Sequence, residues 1–136
     1  MMKKIALITI LLMFIGSISV VFAAPAVKDL SITSYSVSPN PLVIGGENNN
    51  VELKIKNGGT QNIVAPSQIE IQVCKPNGTG CHIPNGAEIG TLVAGQEKTY
   101  NLGFVLSEND VVNGNTLIKI VVDGDNQVAE TDETNN

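Results

Sequence analysis

The chain has 136 residues, a formal net charge of −5 and only 15% charged side chains. Residues 1–23 hold Lys3, Lys4 and a dense apolar run without an acid, whereas the other 113 residues set six Lys and no Arg against thirteen acids, a net charge of −7. All 15 Asn, all 6 Pro and 12 of the 13 Gly lie in that remainder; this excludes a coiled coil or helical bundle, which needs long windows free of Gly and Pro, and an acidic chain without Arg has no basic patch for nucleic-acid phosphates.

The chain opens with a positive stretch (residues 1–4), an apolar run (residues 5–15), the helix breakers Gly16 and Ser17, and Val21-Phe22-Ala23 as a small-residue processing site. This is the order of a secretory signal peptide, with cleavage expected after Ala23. The alternative is a retained anchor, since residues 5–23 approach the shortest length that crosses a bilayer; Thr9, Gly16, Ser17 and Ser19 interrupt it. No later apolar stretch has spanning length, so the expectation is a secreted, periplasmic or cell-surface protein with no stable membrane span after cleavage. Residues 24–28 then form a short lead-in, and residues 29–136 one domain of ordinary size.

That domain alternates with period two. Leu30 and Ile32 share one parity and Tyr35 and Val37 the other, so a bulge near Thr33-Ser34 is expected to bring them to one face. Val51, Leu53 and Ile55 alternate with Glu52, Lys54 and Lys56, which sends the apolar set inward and the charges outward. Ile69, Ile71 and Val73 repeat the pattern, as do Tyr100, Leu102 and Phe104, and then Ile118, Ile120 and Val122. A short apolar stretch at 89–93 supplies a further strand, and Val128 a last short one. Turn signals separate these runs at Pro39-Asn40-Pro41, Asn57-Gly58-Gly59, Asn77-Gly78, Asn85-Gly86, Ala94-Gly95, Asn113-Gly114 and Asp123-Gly124. About seven short strands with this spacing predict an all-β, antiparallel sandwich of immunoglobulin-like type.

The C-terminal run from Val121 through Asp123, Asn126, Val128, Glu130 and Glu133 to Asn135-Asn136 resembles the closing signature of CARDB, the cell-adhesion-related domain found in bacteria. Asp29-Leu30 with Pro39 resembles that family's opening. Residues 51–57 with Gly58-Gly59-Thr60, and Leu92-Val93-Ala94-Gly95-Gln96, resemble two of its internal turns. The resemblance covers about residues 29–136. It implies a seven-stranded immunoglobulin-like sandwich in an exported protein, acting in adhesion or binding, with no shared catalytic residues. It does not require the cysteine-bearing insert at 74–86. Asp123, Asn126, Val128, Glu130, Glu133, Asn135 and Asn136 are read as structural closure, since Asn mimics a backbone turn and can satisfy free backbone groups.

Cys74 and Cys81 are the only cysteines and flank a turn-rich loop; in an oxidising compartment such a pair reads as a disulfide. The clip would stiffen a displayed loop, with Lys75, Asn77, Thr79 and His82 as its partner-contact residues. Asn77-Gly78-Thr79 also matches the glycosylation sequon, against the plainer reading of a β-turn. His82 is the only histidine, too few N and S ligands for zinc or copper. Asp123, Asp125, Glu130 and Asp132 form an acidic tail that could hold calcium only if a turn helped them converge, because alternate residues on one strand face stand about 7 Å apart. The plainer reading is charge that protects a sheet edge. No nucleophile–base pattern is present, so no enzymatic activity and no cofactor are expected.

These readings converge on an exported, non-enzymatic adhesion or protein-interaction module whose partner is an extracytoplasmic protein or surface component. The alternatives are a loop-presenting protease inhibitor on the same scaffold and a structural component of a cell-surface assembly.

Overall fold

A computed structural model describes residues 25–46, 49–64 and 66–134. The expected signal segment and Asn135-Asn136 lie outside the described residues. Among the described residues six strands form, β1 (Leu30–Ser38), β2 (Asn49–Asn57), β3 (Gln68–Cys74), β4 (His82–Glu88), β5 (Glu97–Phe104) and β6 (Leu117–Val122), with one 3-10 turn at Glu108–Asp110. β2 shows the cause most plainly: Val51, Leu53 and Ile55 have no exposed surface, while Glu52 and Lys56 stand in solvent. Each such aliphatic side chain contributes about 1.5–3 kcal/mol when fully buried.

The strands form two three-stranded antiparallel sheets, ordered β1-β2-β5 and β4-β3-β6. Their inner faces share one core, in which Leu53, Ile55 and Phe104 of the first sheet join Ile69, Ile71 and Val122 of the second. This is an immunoglobulin-like β-sandwich. β1 carries the expected bulge: its register on β2 shifts between Ile32 and Ser34, so that Ile32 faces Ile55, Tyr35 faces Leu53 and Val37 faces Val51.

The strand count among the described residues is six, not seven, and the differences have local causes. Residues 89–93 do not form a strand; Gly90 turns the chain at φ 67, and only Leu92 makes a bridge, to Ile63. Conversely, the insert at 74–86 runs from the clipped loop into β4, which pairs antiparallel with β3, so His82, expected on the loop, begins a strand. Pro84 lacks an amide and weakens any central strand, but β4 lies at a sheet edge, where Pro is tolerated. Val128 is fully buried, yet the segment around it is coil, so Glu130 and Asp132 do not share a strand face.

The N-terminal lead-in is part of the fold. The Val27 carbonyl accepts the amides of Thr60 and Gln61, both at 2.8 Å, and the Asp29 carbonyl accepts Gly58 N at 2.7 Å. Asn57 organises that turn from within: its Nδ2 donates to the carbonyls of Gln61 (2.7 Å) and Leu92 (3.1 Å), and its Oδ1 accepts the Gly59 amide (3.0 Å).

Candidate interaction surface

β3 enters the core with Val73 and Cys74 fully buried and then must turn at the surface. Lys75, Pro76, Asn77 and Thr79 are exposed, and Gly78 supplies the positive φ of 79° that the turn requires. The Gly78 amide donates to the Lys75 carbonyl at 2.8 Å. Asn77 Oδ1 accepts the Thr79 amide at 3.1 Å and the Thr79 hydroxyl at 2.7 Å. Cys74 and Cys81 are bonded to each other and close the loop. Asn77 and Thr79 of the sequon are therefore engaged with one another, and Lys75 projects beside them.

A second turn flanks the clipped loop. Val112 and Asn115 exchange backbone hydrogen bonds of 2.9 and 3.0 Å around Asn113 (φ 53) and Gly114 (φ 78), the paired positive angles of a type I′ hairpin. Thr116 Oγ1 donates to the Cys74 carbonyl at 3.1 Å, tying the two turns together. Between them lies a shallow groove of about 300 Å³ lined by Lys75, Pro76, Asn77, Val112, Asn113 and Asn115. Its lining thus combines three Asn and one Lys with the apolar side chains of Pro76 and Val112.

His82 begins β4 at the far end of the disulfide. Its Nδ1 stands 3.4 Å from Asp110 Oδ1, and the other Asp110 oxygen accepts the Ser107 hydroxyl (2.7 Å) and amide (2.9 Å). Burial pushes the Asp110 carboxyl up, but the Ser107 bonds and His82 outweigh it and hold the group below its ordinary range. The sequence does not announce the link between Asp110 and His82, because no local pattern joins positions that distant in the chain. Ser, His and Asp meet here in the wrong order for nucleophilic catalysis. The hydroxyl donates to the acid and not to the imidazole, so the imidazole is not placed to take its proton.

The closing motif is held by its own acids. Asp123, 2% exposed, adopts φ 52 and accepts the amides of Gln127 (3.1 Å) and Val128 (2.8 Å). The Asn126 amide returns to the Asp123 carbonyl at 2.8 Å. Glu130 Oε2 accepts the Leu30 amide at 2.7 Å, and Glu133 Oε1 accepts the Glu130 amide at 2.8 Å. Asp132, whose hydrogen bonds from the Thr134 hydroxyl and amide hold its carboxyl below the ordinary range, caps its own turn. Among the described residues no three His, Cys, Asp or Glu side chains gather as a metal site; Asp123, Asp125, Glu130 and Asp132 are distributed along the coil instead of converging as calcium would require.

These features define a small extracore surface on an immunoglobulin-like sandwich: a disulfide-clipped loop, a hairpin beside it and a closing coil. The CARDB family model matches residues 27–136, and the chain belongs to the CARDB family. The match begins at Val27, inside the lead-in that bonds to Thr60, and so slightly before the expected domain start at 29. No curated protein and no solved structure matches the chain.

Proposed function

We propose that this chain is an exported, non-enzymatic binding module of the adhesion type, and that it contacts its partner through the clipped loop and the hairpin beside it. One observation carries the reading: the Cys74–Cys81 bond closes a loop whose Lys75, Asn77 and Thr79 side chains face solvent. A covalent clip on an exposed loop lowers the conformational entropy lost when a partner orders it, and a disulfide suits an oxidising compartment outside the cytoplasm. Membership of CARDB, a family of non-catalytic adhesion-type domains, supports the same reading. The partner would be an extracytoplasmic protein or surface component that offers hydrogen-bonding groups to the Asn and Lys side chains.

The test is retention of extracytoplasmic components on the immobilised chain, comparing the unaltered loop with Cys81→Ser and with Lys75→Ala/Asn77→Ala. The expected result is a specific component retained by the unaltered chain and weakened by both changes. Equal retention by all three forms, or no specific component, overturns the loop as the contact element. The export reading is checked separately by the N-terminal residue of the chain recovered from its host, expected to be Ala24.

A further inference from the structure

The two lateral sides of the sandwich differ. On one, Asn85 Nδ2 of β4 donates to the Gly103 carbonyl of β5 at 2.6 Å and links the sheets. On the other, β1 and β6 are the terminal strands of their sheets. Between them runs an open groove of about 500 Å³ lined by Ile32, Thr33, Ser34, Tyr35, Ile118 and Ile120, none of them charged. Tyr35 is 67% exposed at its rim, although its register partner on β2 is the fully buried Leu53.

Natural sheet edges are blunted by charge, Pro or distortion. β4 carries Pro84 and Glu88, β5 carries Glu97 and Lys98, and β6 carries Lys119. β1 has neither charge nor Pro over its nine residues. It has a bulge, and a bulge commonly bends an edge away from partners. Here the bulge has a second effect. It puts Leu30 and Ile32, before it, and Tyr35 and Val37, after it, opposite the alternate β2 positions Asn57, Ile55, Leu53 and Val51, on one face.

The strand is consequently symmetric about the Thr33–Ser34 peptide. Leu30 mirrors Val37 and Ile32 mirrors Tyr35; Ser31 mirrors Ser36 and Thr33 mirrors Ser34. In an antiparallel pair, residues directly opposite share a face and interact. A two-fold axis beside that peptide would therefore set Leu30 against Val37, Ile32 against Tyr35 and Ser31 against Ser36, and would bring no like charges together on the paired strands; the Thr33 hydroxyl stays within its own sheet, donating to Glu97 Oε2 at 2.7 Å. Such self-complementarity is what an isologous contact requires.

We propose that β1 is a homotypic docking edge: two copies of this chain pair antiparallel through β1 about Thr33–Ser34, with Tyr35 of each copy against Ile32 of the other. The pairing joins two three-stranded sheets into one continuous sheet and covers the rim of the β1–β6 groove. It does not depend on what the clipped loop binds.

Sedimentation equilibrium of the full chain, expressed with its own N-terminal segment, is expected to show a dimer whose share rises with concentration. Tyr35→Lys replaces an exposed side chain by a charge and is expected to weaken the dimer roughly tenfold. The register is read by cross-linking Ser31→Cys and Ser36→Cys chains under mild oxidation. The mixture is expected to form the mixed dimer, and each variant alone far less, because like positions would lie on the order of 17 Å apart across the axis. Cys74 and Cys81, already bonded to each other, do not compete. An unaltered chain that stays monomeric at every concentration overturns the proposal. So does a dimer in which Ser36→Cys cross-links to itself as readily as to Ser31→Cys, whatever the stability of the Tyr35→Lys variant.

Discussion

The Asp123 carboxylate accepts the Val128 amide at 2.8 Å, so a buried acid at the end of β6 directs the coil that carries Val128 into the core. Asp123→Ala orphans two amides and also places Ala at φ 52, a left-handed angle that Asn tolerates about as well as Asp. Loss of the charged hydrogen bonds and exposure of their donors is expected to destabilise the domain by about 2–4 kcal/mol. Asp123→Asn keeps the backbone angle and one acceptor, and is expected to recover about half. Urea unfolding checks this: the midpoint should fall in that order while the slope stays constant.

Gly59 packs against the backbone of the lead-in. A Cβ there would meet the Val27 carbonyl oxygen at 2.3 Å and Lys28 Cα at 2.9 Å. Neither contact can be relieved by turning a side chain, so Gly59→Ala is expected to destabilise by about 1–3 kcal/mol through overpacking and to release the 25–29 segment. At Gly45 nothing lies within 4 Å, although its φ is 77, and Gly45→Ala should show only the left-handed penalty of about 1 kcal/mol. Thermal unfolding measures both, and hydrogen exchange at Thr60 and Gln61 should accelerate in the Gly59 variant alone.

Asp110 predicts a pH dependence whose sign follows from its hydrogen bonds. The folded carboxyl titrates below its ordinary value of 3.8. Its contribution to stability is therefore complete above that value and is lost as pH falls through the lower, folded one. Asp110→Asn is expected to cost about 1–2 kcal/mol at neutral pH, where charged hydrogen bonds are lost, and to flatten the acid limb of the stability curve below 3.8. Chemical denaturation from pH 7 to pH 2 reads both effects; an unchanged acid limb would remove Asp110 from the account.

The regular part of this fold was legible because one face of β2 and one face of β3 are buried. Val51, Leu53 and Ile55, and Ile69, Ile71 and Val73, alternate with exposed or half-buried neighbours, and the period reports that asymmetry directly. The bulge in β1 was legible for the same reason, as a change of parity between Ile32 and Tyr35. β4 was not, because Pro84, Asn85 and Gly86 have poor strand propensity and are held by pairing with β3, a tertiary effect. At 89–93 the apolar run reflects burial of Ile89 and Leu92 on a chain that Gly90 has already turned. Of the surface elements, the disulfide was readable from cysteine number and spacing. The hairpin at 112–115 was readable as a turn, but its position beside the clipped loop depends on β3–β6 pairing, and the His82–Asp110 contact on where β4 starts.

The disulfide's contribution should be local in place and moderate in size. Cys74 and Cys81 close a loop of eight residues, counting both, for which chain-entropy arguments give about 2.5 kcal/mol. Inside the clip, Lys75 N still donates to the Thr79 carbonyl at 3.0 Å, so the turn has some structure of its own. Outside it, Ile71, Val73 and Cys74 remain paired with β6 through Ile120, Ile118 and Leu117. Reduction, or Cys81→Ser at the exposed end, is therefore expected to lower stability by about 2–3 kcal/mol without melting the sandwich. Amide exchange should quicken at Lys75, Gly78 and along β4 from His82, and stay slow at Ile71 and Val73. A uniform rise in exchange across β3 would mean instead that the bond supports the whole sheet, and that the loop is not an independently stiffened element.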